Sequence, residues 1–184
     1  MSVVQYHNIF DVGVCLKEVG FHVRNMITWQ KNNRASFRNS VAFLNLMVLP
    51  PNLGCRCFKH STEFIIWAVK DTSKHYFNYE LMKELNGGKQ MADVWTGPRT
   101  PMREKRFGKH PTQKPLYLLE RIIRATSQPG DWILDPFCGS GTTGVAAVIN
   151  ERNFVGIDNS EEYIKLSQIR IDHELQFIRK ENTK

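Results

Sequence analysis

One ten-residue run constrains this chain more than any other: Asp135-Pro136-Phe137-Cys138-Gly139-Ser140-Gly141-Thr142-Thr143-Gly144. Trp132-Ile133-Leu134 before it reads as a short buried strand, and the residues after it as a helix ending near Asn150. Phe154-Val155-Gly156-Ile157 makes a second strand, and Asn159 or Ser160 caps a last helix with Glu161 and Glu162 in its first turn, where the dipole favours acids. The buried stripe of that helix is expected at Ile164, Ile171, Leu175 and Ile178. Strands joined by helices imply an α/β fold with a parallel sheet, and the carboxyl ends of such strands form a ligand crevice. Glycines at the strand-to-helix turn let backbone approach a ligand whose charge or lone pairs meet the unpaired N–H groups of the helix.

Asp158 closes the second strand nineteen positions after Gly139, close to the spacing of about twenty at which an acid takes ribose hydroxyls. Gly139 to Gly144 also spells the dinucleotide pattern G-x-G-x-x-G. Two features weigh against that reading. Only 26 residues follow Asp158, enough for one helix and not for a second nucleotide-binding half. Asp135 would repel a pyrophosphate, whereas it can accept from the amino group of an amino-acid-bearing nucleoside. S-adenosylmethionine is therefore the favoured ligand on the residues alone, with a nicotinamide or flavin site and a purely structural turn as the open alternatives.

Upstream, Ile9, Val12, Leu16 and Val19 recur at helical spacing and stop at Gly20. Phe21 to Trp29 alternates as a strand with Phe21, Val23, Asn25, Ile27 and Trp29 on one face, and the unbroken apolar run Phe64 to Val69 reads as a strand covered on both faces. Lys70 to Lys109 carries Asn86-Gly87-Gly88, Gly97-Pro98 and Thr100-Pro101, so loops are expected to dominate there. Pro115 opens a helix with Leu116, Leu119, Ile122 and Ile123 on its apolar side.

The net charge of +7 and sequence pI near 9.3 suggest a polyanionic partner. Six of the basic residues lie between Arg99 and Lys114, with Glu104 the one acid among them. No apolar run reaches the ~18–20 residues of a membrane span and no secretory signal opens the chain, so the expectation is a cytoplasmic protein without membrane contact. Cys15, Cys55, Cys57 and Cys138 lack the spacing of a zinc site, and four reduced thiols with no metal are expected.

His110-Pro111-Thr112-Gln113-Lys114-Pro115, the glycine-rich run from Asp135 to Thr143, and Phe154 to Asp158 together resemble the amino-methylating DNA methyltransferases of the permuted, beta-type order. Ile27-Thr28-Trp29-Gln30-Lys31-Asn32, His60-Ser61-Thr62-Glu63 and Asp93-Val94-Trp95 are also similar to that family, which leaves only Arg34 to Leu49 without a counterpart. The resemblance implies a Rossmann-like S-adenosylmethionine-dependent methyltransferase fold across residues 1–184, with a loop-rich target-recognition region at 70–109 and a cofactor-binding part at 110–184. It implies that Asp135, Pro136, Phe137, Gly139, Ser140, Gly141 and Thr142 wrap the methionine and ribose portions of the cofactor. Asp158 would hold the ribose, and His110, Thr112, Gln113 and Lys114 would close the methionine side.

DNA is the partner the resemblance implies, and Arg99, Arg103, Lys105, Arg106 and Lys109 are the expected phosphate contacts. Base-reading candidates are Arg56, Lys59, His75, Asn78, Lys83 and Gln90, in no order of preference. Tyr79 to Gly97 is most similar to adenine-N6 methylases of restriction–modification systems, and GATC is the target that likeness suggests.

The family's catalytic motif, a polar residue followed by Pro-Pro and an aromatic, is not present; the one Pro-Pro is flanked by Leu49 and Asn52. Leu49 cannot accept from an exocyclic amine and Asn52 cannot stack on a base, so no catalytic residue is assigned. The chain thus reads as an N-terminally truncated methyltransferase, inactive alone. Its expected partners are DNA and a complementing N-terminal chain or a second copy of itself. A noncatalytic DNA-binding subunit is the alternative, and a nicotinamide-dependent oxidoreductase a weaker one.

Overall fold

Trp29 and Ile65 sit on neighbouring strands and are buried in the main core together with residues of two helices. The computed structural model describes residues 2–4, 8–32 and 60–181. The segment Arg34 to Leu49, the Pro-Pro pair, Cys55, Cys57, Arg56 and Lys59 lie outside the described residues.

Strand β1 (Ser2–Val4) is followed by helix α1 (Ile9–Glu18), β2 (His22–Asn32), β3 (Thr62–Val69), α2 (Tyr79–Leu85) and β4 (Val94–Pro98). A short 3-10 turn at Met102–Lys105 leads to α3 (Leu116–Thr126), β5 (Trp132–Asp135), α4 (Thr142–Ile149), β6 (Asn153–Gly156) and α5 (Glu161–Glu181). The first four strands form one sheet in the order β1-β3-β2-β4, with β2 antiparallel to β3 and parallel to β4. Strands β5 and β6 form a separate parallel pair, as a strand–helix–strand unit requires.

Alternation along β3 places Ile65 in the main core and Ile66 against α1, so the unbroken apolar run is covered on both faces as expected. Helix α1 packs through Ile9, with Val12 and Leu16 beside it, and ends where Gly20 takes a φ of +85°. The main core joins Ile27, Trp29, Ile65 and Trp95 to Leu118, Leu119, Ile122 and Ile123 of α3 and Ala146 and Ala147 of α4. Buried indole and phenol groups find partners there: Trp29 Nε1 donates to Tyr117 Oη at 2.8 Å, and Trp95 Nε1 to the carbonyl of Ala92 at 2.9 Å. Gly97 is required where Tyr117 crosses β4, since a Cβ would lie 2.0 Å from its hydroxyl.

Three expectations are corrected, and one holds with detail added. The register of β2 against β3 shifts between Val23 and Asn25, so the single apolar face is broken and Val23 is exposed while Ile27 and Trp29 are buried. Loops dominate Lys70 to Lys109 as expected, interrupted by α2, which Asn78 caps by accepting from the Leu81 N–H at 3.2 Å, and by β4, which pairs with β2. Seven- and five-residue elements are too short to show a period. Strand β5 is not buried; Trp132 is 71% and Leu134 63% exposed, because helix α4 packs on one face of the β5–β6 pair and nothing among the described residues covers the other. Finally, Ile164 is exposed on α5, whose packed stripe runs through Leu166, Ser167 and Arg170 to Ile171. Two glycines explain that rotation: a Cβ on Gly141 would strike Ser167 and one on Gly108 would strike Leu166.

Candidate ligand site at the carboxyl end of the parallel pair

Strand β5 ends at Asp135, and its carboxylate organises the turn that follows. One oxygen accepts the Phe137 N–H at 3.1 Å and the other the Thr143 hydroxyl at 2.6 Å. Gly139 and Gly141 adopt φ values of +51° and +72°, which side chains other than glycine reach only under strain. The turn is stitched to the end of β6 by Cys138 N–H to Ile157 C=O and Ile157 N–H to Asp135 C=O, each 2.9 Å. Behind it, the buried guanidinium of Arg170 donates to the Ser140 carbonyl and the Thr142 hydroxyl, fixing the first residues of α4.

Asp158 lies at the mouth of this turn. Its carboxylate accepts the Ser160 N–H at 2.9 Å and the Gly139 N–H at 2.8 Å, and Ser160 in turn caps α5 through a longer contact to the Tyr163 N–H. Those two N–H groups, Ser160 first, hold its carboxyl below the usual carboxylate range, with His110 helping. A carboxylate has about four lone-pair sites. Backbone N–H groups do not take all of them here, so Asp158 retains capacity for a hydroxyl donor.

His110 presses against the turn. A Cβ on Gly139 would sit 3.0 Å from its Nε2, and its ring meets Tyr163 edge-on at 4.3 Å. Burial pushes the imidazole below its ordinary value, partly countered by Asp158. Of the other expected pocket residues in this loop, Thr112 bonds back to His110, its N–H reaching His110 Nδ1 at 3.3 Å. Gln113 and Lys114 turn toward the framework instead: Gln113 Nε2 donates to the Glu104 carbonyl at 3.0 Å, and Lys114 Nζ meets Glu63 at 2.7 Å. Phe137 is 87% exposed beside Asp135, and Ser140 and Thr142 are buried within the turn.

Three residues that sequence reasoning did not single out for the site hold it together. Arg170 is the first, buried on α5 outside the apolar stripe expected for that helix. Glu63 is the second; it bridges Lys31 at 2.5 Å and Lys114 at 2.7 Å. Burial raises its carboxyl, but the bonds from the two lysines outweigh burial and hold it below the usual value. Glu104 is the third. Its side chain accepts the Leu116 N–H at 2.9 Å at the start of α3, and burial pushes its carboxyl up. A capping acid twelve residues ahead of its helix leaves no local signal, since helix caps are sought within a few residues.

The basic strip is unevenly disposed. Arg103 and Lys109 are exposed, Lys105 is half-buried, and Arg106 is drawn onto α5, with Nη2 3.6 Å from Glu174 and 3.1 Å from His173. Arg99 is half-buried and follows β4 directly. No helix among the described residues is long and apolar enough to cross a membrane.

With this geometry in place, comparison with known proteins assigns the class. A DNA methylase family model covering N6 and N4 amino-methylating enzymes matches residues 1–169, and the chain belongs to that family. The chain is 55% identical over 170 residues to the Type II methyltransferase M2.DpnII of Streptococcus pneumoniae, covering 91% of this chain and 58% of that protein. It is 50% identical over 171 residues to the Type II methyltransferase M2.MboI of Moraxella bovis, covering 92% of this chain and 57% of the relative. Among solved structures, the crystal structure of the M1.HpyAVI–SAM complex matches with a TM-score of 0.69 and 34% identity, over 92% of this chain and 72% of the other. The chain thus spans somewhat more than half the length of the curated relatives it matches. None of these likenesses supports the nicotinamide reading.

Proposed function

We propose that this chain is the cofactor-holding and DNA-positioning part of an S-adenosylmethionine-dependent DNA adenine-N6 methyltransferase of the restriction–modification type. The observation that carries the reading is the closure of Asp158 and His110 on the same glycine, Gly139, at the carboxyl end of a parallel pair. The residues fit such a cofactor: the positive-φ turn leads into the N-terminus of α4, where first-turn N–H groups have no acceptor within the helix, and Asp158 is available for ribose hydroxyls. When bound, S-adenosylmethionine supplies a methyl group activated by its sulfonium. Asp135 keeps the turn at the distance a nucleoside needs, Arg170 fixes its far side, and His110 walls the pocket as a neutral ring. Arg103, Lys105 and Lys109 face DNA phosphates, positioning the duplex without reading its sequence. The likeness of the Tyr79–Gly97 region suggests GATC as the target.

Transfer to an exocyclic amine needs an acceptor and an aromatic face beside the extruded base, aligned in line with the methyl–sulfur bond. No segment of this sequence supplies both, so the chain is proposed to act with a complementing segment that does. The bare apolar face of Trp132, Leu134, Val155 and Ile157 supports this, since parallel strands are covered on both faces. The test has two parts. Calorimetry of the purified chain should register S-adenosylmethionine binding. Labelled methyl should enter adenine-containing duplex DNA only when the unmatched remainder of M2.DpnII is added as a separate chain. Transfer by this chain alone would place catalysis elsewhere in it.

A further inference from the structure

Between the 3-10 turn and helices α3, α4 and α5 lies a cavity of about 250 Å³. That is far more than the ~10–15 Å³ that one water needs. Phe107, Leu116 and Val145 give it apolar walls, and its charges come from three arginines and two glutamates. Arg106 is paired with Glu174, its Nη2 3.6 Å from a carboxylate oxygen. Arg103 and Arg170 remain, facing Glu104, whose carboxylate feels both cations and accepts the Leu116 N–H at 2.9 Å. Two cations against one acid leave a single positive charge. Between apolar walls an unneutralised charge costs more than it does in water.

Arg170 defines the group that would neutralise it. The residue is 5% exposed, and it holds the Ser140 carbonyl and the Thr142 hydroxyl through Nη1 alone. Nε and Nη2, on the opposite edge of the guanidinium, make no hydrogen bond among the described residues. That edge presents two parallel N–H groups, the arrangement that takes two oxygens of one anion. Arg103 reaches the cavity from a different element, the 3-10 turn, and is exposed, so a guest meets one cation at the rim and one within. A carboxylate has only the two oxygens that Arg170 would occupy. A phosphate has further oxygens for Arg103, and a phosphodiester carries one negative charge against the one positive charge left over.

We propose that this cavity is an oxyanion site for one phosphate group, held between Arg103 and the open edge of Arg170. The site deepens the phosphate role proposed above for Arg103 and rests on it for the DNA backbone as a source. It adds a residue that also grips the glycine turn, so an occupant would bear directly on the group that fixes that turn. Nitrogen NMR of the arginine-labelled chain tests the site, with inorganic phosphate and a short duplex as separate probes. The Nε–H signals of Arg103 and Arg170 should move together and yield one dissociation constant, while that of Arg152, bonded to Ser127, stays in place. Arg103→Gln should weaken phosphate binding roughly tenfold, the loss expected for one charge-assisted contact. A response to the duplex alone would name the DNA backbone as the source, and a response to phosphate alone a free phosphate ligand; either supports the site. Phosphate binding by a chain that does not bind duplex would keep the site and bring down the DNA reading. Duplex binding that leaves Arg170 unmoved, with no response to phosphate, would do the reverse. Unchanged phosphate affinity in Arg103→Gln would also overturn the site. So would equal movement of both signals in chloride of the same ionic strength, which reports screening rather than binding.

Discussion

The carboxylate of Asp158 receives the backbone N–H of Gly139 at 2.8 Å, so the end of the second parallel strand holds the glycine turn that follows the first. An acid at this spacing is expected to serve a ribose. Here it also braces the turn that the ribose would lie against. Asp158→Ala should therefore weaken S-adenosylmethionine binding by about 1–3 kcal/mol, the cost of losing a partner to a polar group. Its folded carboxyl lies below the unfolded value, so the brace is present above about pH 4 and weakens as pH falls through the folded value. Calorimetric titrations of wild type and variant at neutral pH check the first statement; equal affinities would remove Asp158 from the pocket.

Glu63 holds two lysines that would otherwise repel one another, both largely removed from solvent. Glu63→Gln leaves the two cations facing a neutral amide and should cost roughly 3 kcal/mol, the lower end for breaking a buried pair. The carboxyl is depressed in the fold, so its contribution is complete above the unfolded value of about 4.3 and is lost progressively as pH falls through the folded value. Urea unfolding across a series from pH 7 to pH 3 should show the gap between wild type and variant narrowing as pH is lowered.

Glu104 behaves in the opposite sense. Burial raises its carboxyl, so whatever stability its protonation adds is present at low pH and lost as pH rises through the folded value. Glu104→Gln keeps an oxygen for the Leu116 N–H and removes the buried charge, so thermal melts at pH 7 should show it as stable as the wild type or more so. Glu104→Ala loses the cap and should cost about 1 kcal/mol.

In DNA binding, the exposed cations and the tethered one should separate. Arg103→Ala and Lys109→Ala should each lower the slope of log affinity against log salt by roughly 0.9. Arg106 is held by Glu174 and His173, and its removal should change that slope less. Filter binding across a salt series distinguishes them, and equal losses at all three positions would show that Arg106 leaves α5 for the phosphates.

Leu134→Lys on the bare face of β5 should change the stability of this chain by no more than about 0.5 kcal/mol, as for other exposed sites. The same substitution should abolish methyl transfer restored by a complementing chain. Retained complementation, measured by label incorporation, would mean that this face is not the contact.

Local patterns determined much of this protein before its tertiary structure was known. Gly20 stops α1 through its positive φ, Pro115 starts α3, and the run Asp135 to Gly144 forms a strand-to-helix turn, because each depends on backbone conformations that a few neighbouring residues dictate. The spacing of Gly139 and Asp158 was likewise legible, since a strand–helix–strand unit has nearly constant length. Which partners the charges find was not. Arg170 reaches Ser140 across thirty positions, Glu63 on β3 joins Lys31 on β2 to Lys114 in the loop before α3, and Trp29 meets Tyr117 across eighty-eight. Those contacts depend on how α3 and α5 seat against the sheets, a consequence of packing shape rather than of sequence period. The same packing decided that Ile164, Trp132 and Leu134 face outward, because hydrophobicity records that a residue can be buried and only the neighbouring elements determine whether it is.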